Sequence, residues 1–259
     1  MTGSVTCSTW VGHLLNILHS DADCNGVGVN ELALVQGMTD TRLALRRWNE
    51  RPMDVLRPWL VLSVAVAVGL LGAVYAVAEL SRPDLTRLDL PGLYGPADGG
   101  DYLFVLFRNS LVLALHALAC VAGFMAGSSI PLLAAEQSGI NRWIHEKTAR
   151  FAILFVACAT VFSLTTQAYV IGGNAATFAQ QLDISPAVLV LALLPHALPE
   201  LVALFLPLAA WLLASRRGRW DELLAATVVT VGIAVPVLLV SGAVELWVSP
   251  ELLRTLSGS

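Results

Sequence analysis

In a chain of 259 residues, 56% are hydrophobic and 13% are charged, whereas soluble domains run at about 45–50% apolar and about 25% charged. The mean hydropathy of +0.72 therefore predicts a polytopic membrane protein and excludes an ordinary water-soluble domain. A net charge of −4 gives no basic footprint for nucleic acid, so the lipid bilayer is the first partner expected.

Residues 1–37 are polar and glycine-dotted, without a sustained period, and are expected to form a disordered N-terminal extension. They contain Cys7, His13, His19 and Cys24, which are zinc-ligand types in a spacing that matches no compact finger. No metal or cofactor is expected. Met38 opens MTDTRLALRRWNERP, which reads as a natural beginning, so residues 1–37 read as an upstream extension. Residues 38–56 form a basic juxtamembrane segment, with a short amphipathic helix predicted over 40–51.

Five stretches are long and apolar enough to cross a hydrocarbon core of about 30 Å as helices, near Trp59–Ala78, Tyr102–Ser128, Phe151–Val170, Pro186–Ala214 and Leu223–Val248. Residues 57–250 thus form an all-α bundle, and 251–259 a short outer tail. The first apolar run lacks an A-x-A exit and reads as an uncleaved anchor. Loop 79–101 carries Pro83, Pro91 and Pro96 with several glycines and is not a helix. Segment 171–185, IGGNAATFAQQLDIS, is predicted as one short surface helix, and Ser185 and Pro186 as the cap and first turn of the fourth span.

Arginine placement orients the bundle. Arg42, Arg46, Arg47, Arg51 and Arg57 precede the first span, Arg142, Lys147 and Arg150 follow the second, and Arg216, Arg217 and Arg219 follow the fourth. The positive-inside rule predicts a cytoplasmic N-terminus and an outer C-terminus. Cys120 and Cys158 fall within spans and read as small hydrophobes; no disulfide framework is suggested.

Ionisable residues inside a bilayer are rare and face the bundle interior or a water-filled cavity. Here they are Arg108, His116, His196, Glu200 and Glu245, joined by Asn109 and Gln167 into one predicted polar seam. Counting about 1.5 Å per residue puts Arg108 and Asn109 two turns below the outer surface, and His116, His196 and Glu200 near the midplane. Glu245 falls in the last turn of the fifth span, where a pair with Arg108 is expected. Asn109, His116, Gly123 and Gly127 share one face of the second span, and Gly123 and Gly127 form a G-x-x-x-G that lets another helix approach. Pro195, Pro199 and Pro207 predict a kink in the fourth span, freeing carbonyls for a proton donor, water or ion. No H-E-x-x-H or G-x-S-x-G accompanies these residues.

FRNSLVLAL at 107–115, LLPHALPELVAL at 193–204 and SGAVELWVSPEL at 241–252 give the chain a resemblance to the stage II sporulation protein M family, covering roughly residues 56–252. Ala197 stands where that family usually has glycine. The resemblance implies a multi-pass protein of the bacterial inner membrane that acts with partners, in some members in peptidoglycan remodelling during engulfment. Asn109, His196, Glu200 and Glu245 match that family's polar positions. The leading expectation is a non-enzymatic scaffold or subunit of a cell-envelope complex, with protein partners or as a homo-oligomer. The alternatives are an ion- or proton-coupled transporter or channel component using the His/Glu seam, and a metal-dependent intramembrane enzyme.

Overall fold

The computed structural model describes the backbone of residues 27–84, 87–129 and 140–257, and the side chains of 37–84, 87–127 and 154–257. The zinc-type residues Cys7, His13, His19 and Cys24, and the side chains of Arg142, Lys147 and Arg150, lie outside the described residues. The chain divides into two compact units, Met1–Met38 and Thr39–Ser259. Helix α1, Val27–Glu50, shows that Val27–Gly37 are helical, which corrects the expectation of a wholly disordered extension. The predicted 40–51 helix is the second half of this longer one. Arg51 interrupts it with a non-helical backbone at φ −144°, ψ 71°, and Pro52, whose missing N–H costs nothing in a first turn, opens α2, Pro52–Leu80.

The remaining helices are α3, Gly99–Phe124, continued by a π turn Met125–Ser129; α4, Ile140–Gln181; α5, Pro186–Arg217; α6, Leu223–Trp247; and α7, Ser249–Ser257. A short 3-10 turn, Trp220–Glu222, joins α5 to α6. Five helices are long and apolar enough to cross a membrane. All regular elements among the described residues are helical.

Local chemistry sets the boundaries. Asp98 caps α3 in a reciprocal box, its Oδ1 accepting from Gly100 N at 2.7 Å and Asp101 N at 3.0 Å, while Asp101 Oδ2 accepts from Asp98 N at 3.0 Å. Ser185 Oγ accepts from Val188 N at 3.3 Å, and Pro186 occupies the first turn of α5. Gly218, at φ 67°, closes α5 in the left-handed region that penalises a Cβ.

Two expectations are corrected. Segment 171–185 is not a separate surface helix: α4 runs unbroken to Gln181 and ends in a turn at Asp183, φ 54°. Nothing in 171–180 can stop a helix, since Gly172 and Gly173 weaken one without breaking its hydrogen-bond ladder. Residues 251–259 are not simply a tail, because Ser249–Ser257 fold into α7. Ser-Pro-Glu at 249–251 is a helix-start pattern, and Leu253 is fully buried.

Helix α5 is central and packs on α2, α3 and α6, with α7 and α4 touching it less. In their most apolar stretches 33% of α5 is buried against 6% of α4, which leans mainly on α2. Close approach explains the glycines. A Cβ on Gly172 of α4 would meet Val77 Cβ of α2 at 2.6 Å, and one on Gly123 would meet Trp211 Nε1 and Leu223 Cδ1 at 2.8 Å. Gly127 sits against the Trp220 ring. The G-x-x-x-G thus lies against the end of α5 and the start of α6.

Candidate functional site

Four helices bring polar side chains to one level of the bundle. Helix α3 supplies Arg108 and Asn109, α5 supplies His196 and Glu200, α6 supplies Glu245, and α7 begins there with Ser249. Arg108 Nη2 lies 3.5 Å from Glu245 Oε1, with the arginine side chain 56% and the glutamate side chain 17% exposed. Glu200 lies within electrostatic reach of Glu245 and Arg108, and Asn109 stands beside it. Asn109 is buried, its Nδ2 without a partner of proper hydrogen-bond geometry. Glu200 Oε2 and Glu245 Oε2 are likewise buried and unpartnered.

His196 Nδ1 is 2.7 Å from Ser249 Oγ, and Ser249 Oγ donates to the Val244 carbonyl at 3.2 Å. A hydroxyl has one proton to give. Because Ser249 spends it on Val244, His196 must carry its proton on Nδ1 and donate. His116 contacts the Leu204 carbonyl at 2.7 Å through Nδ1; a carbonyl only accepts, so this ring also donates from Nδ1. Cys120 Sγ donates to the Pro207 carbonyl at 3.2 Å. Helix α3 is therefore sewn to α5 through backbone acceptors at Leu204 and Pro207, not through Leu191 and Pro195, whose helical donors the prolines at 195 and 199 remove. α5 keeps its helical assignment through Pro195, Pro199 and Pro207.

Two sequence-based placements change. Depth counting put Glu200 near the midplane and Glu245 near the surface, yet the structure brings them together. The first turns of α5 are occupied elsewhere, since Leu189 and Ala192 pack with Leu93, Phe178, Leu182 and Leu253 in a separate core cluster. The residues that follow, His196 and Glu200, meet the end of α6. His116, bound to the Leu204 carbonyl, is not brought in, and neither is Gln167. Its Nε2 donates to Ser163 Oγ on its own helix at 3.1 Å, and α4 leans on α2 instead of the seam helices. The two histidines address different partners, Leu204 and Ser249. No group of three or more His, Cys, Asp or Glu side chains among the described residues is arranged to hold a metal.

Ser249 was missed by sequence reasoning because a serine at a helix start reads as a cap. A second buried polar centre was also missed, at the arginine-rich end of the bundle. Glu222, its side chain only 4% exposed, pairs with Arg47 of α1 at 2.9 Å and with Arg219 at 3.3 Å. Trp48 and Trp59 meet edge to face beside the α1–α2 break, with centroids 5.3 Å apart.

Residues 141–250 match the family model described as stage II sporulation protein M, the family that the polar motifs resemble. The matched region takes in His196, Glu200 and Glu245; Arg108 and Asn109 lie ahead of it. Among curated proteins and among solved structures, nothing matches the chain. The chain is a multi-pass membrane protein in which residues 141–250 are similar to stage II sporulation protein M.

Proposed function

We propose that this chain is a non-enzymatic subunit of a bacterial cell-envelope complex, held in the cytoplasmic membrane with its arginine-rich end inside. The observation that carries the reading is the outer face of α4. Phe155, Phe162 and Tyr169 are 73%, 73% and 72% exposed, and they recur every seven residues along a helix that one neighbour alone supports well. A seven-residue repeat is the signature of a seam between packed helices, and large aromatic rings supply most of the contact area in such seams. Hydrocarbon solvates any apolar face and imposes no repeat. A partner helix, from another protein or from a second copy, accounts for the period.

The His196–Ser249–Val244 chain and the Arg108–Glu245 pair support the same reading, because they fasten neighbouring helices together. A photocrosslinking residue placed at Phe162 tests it in native membranes. The expected result is a protein adduct from position 162 and none from the buried Ala168. Lipid adducts alone from position 162 would remove the basis for the proposal.

A further inference from the structure

The two buried carboxylate centres of this protein have opposite charge balances. At Glu222 one carboxylate meets two guanidinium groups, from Arg47 and Arg219. At the seam, two carboxylates, Glu200 and Glu245, share one guanidinium, from Arg108. The first centre is satisfied with its carboxylate ionised. The second is not: with both carboxyls ionised, one negative charge would be left among apolar helices, where transfer from water is strongly opposed.

The orphaned atoms lie where that excess charge lies. Glu245 turns Oε1 to Arg108 and leaves Oε2 without a partner, and Glu200 also leaves Oε2 without one. Asn109, 3% exposed, has an unpartnered Nδ2 beside Glu200. A single proton on either carboxyl removes the excess charge, and Asn109 stands beside Glu200 as a donor. A metal ion fits poorly, because a hard monovalent or divalent cation draws on about six oxygens and the seam offers two unengaged ones.

The surroundings supply no competing charge. Helix α3 faces the pair with Arg108 and Asn109, and α5 adds His196, whose Nδ1 proton is committed to Ser249. Helix α7 carries Glu251 and Arg254, which pair with one another. Tyr75 of α2 lines an apolar groove against α5 with Val68, Leu191 and Leu194. Exposure is graded, from Arg108 at 56% to Glu245 at 17%, so the pair lies beside the arginine at the edge of the bundle.

We infer that Glu200 and Glu245 form a proton-binding site that holds one proton between them at neutral pH, with Asn109 as its donor and Arg108 as its charge partner. The full-length protein in detergent, studied by infrared spectroscopy in H2O and D2O, tests this directly. The wild-type chain should show the C=O band of one protonated carboxyl at neutral pH, shifted on deuteration. Glu200→Gln and Glu245→Gln should each abolish it, since either leaves one carboxylate for one arginine, and Glu222→Gln should leave it intact. Absence of the band from the wild-type chain would overturn the inference whether or not the variants fold. Its survival in both folded seam variants would do the same. A thermal midpoint that rises in sodium chloride but not in choline chloride would assign the site to a metal cation instead.

Discussion

Ser249 occupies the point where three helices meet, with its hydroxyl between His196 of α5 and the Val244 carbonyl of α6 while its backbone starts α7. Ser249→Ala removes the acceptor from a buried imidazole N–H, and leaving such a group unsatisfied costs about 1–3 kcal/mol. The expected outcome is a lower midpoint in detergent thermal unfolding, with Ser249→Thr restoring much of the loss; an unchanged midpoint for the alanine variant would show the bond to be dispensable. For Arg108 and Glu245, removing one partner strands the other in an apolar setting, so each single variant should lose more stability than the double variant. A double-mutant cycle measures this, and zero coupling refutes it. The importance of Arg108, Asn109, His196, Glu200 and Glu245 was legible in the sequence because polar groups are conspicuous against hydrocarbon. One partnership was legible, the Arg108–Glu245 pair; the others were not, since a hydrogen bond from His196 to a residue 53 positions away leaves no periodic trace and no local pattern marks Glu222 as buried.

Elements were read best where a local rule decided them. The first and fourth spans lie within α2 and α5, the second runs through α3 into its π turn, the fifth ends one residue past α6, and the cap of α5 follows from Ser185-Pro186. Helix α4 runs through both the third span and the segment expected as a separate surface helix, and the glycines at 172 and 173 do not break it. They instead admit α2, whose Val77 and Val74 would collide with a Cβ at Gly172. Gly172→Leu should therefore detach α4 from α2 and lower the thermal midpoint, whereas Gly173→Ala, with open space around it, should raise it slightly through added helix propensity. Equal midpoints for the two variants would contradict this packing. The loop that joins α2 to α3 is also firmly placed: Asp84 N donates to Thr177 Oγ1 at 2.9 Å, Leu88 N to Gln181 Oε1 at 3.3 Å, and Arg254 of α7 donates to the carbonyls of Gly92 and Leu93. At Gly92, φ is +85° and a Cβ would lie 2.5 Å from the Leu246 carbonyl oxygen. Gly92→Ala should thus be strongly destabilising and should make the loop sensitive to protease added to the outer face.

At the scale of the whole molecule, the class was set by composition alone, since 56% hydrophobic residues in long unbroken runs leave few alternatives to a helical membrane bundle. The order of packing was not available from composition, because in a membrane all the spans are similarly apolar and their rank as central or peripheral depends on small residues and polar ties. We propose the orientation from Arg42, Arg46, Arg51, Arg57, Arg216 and Arg217, all exposed, which the positive-inside rule would group at the cytoplasmic face. A reporter active only in the cytoplasm should be silent when fused after Ser259 and active when fused after Gly218; the reverse pattern would invert the bundle.

The bonds from Arg254 to Gly92 and Leu93 join residues 161 or more positions apart, which gives the order of synthesis a structural meaning. A ribosome feeding this chain into the membrane delivers the first loop well before its fastener. Until α7 emerges, the carbonyls of Gly92 and Leu93, the imidazole of His196 and the flank of Leu189 stay uncovered, however completely the spans have inserted. The bundle is thus fastened only once residues 249–257 have joined it. With α7 in place, the bundle closes over its own first loop.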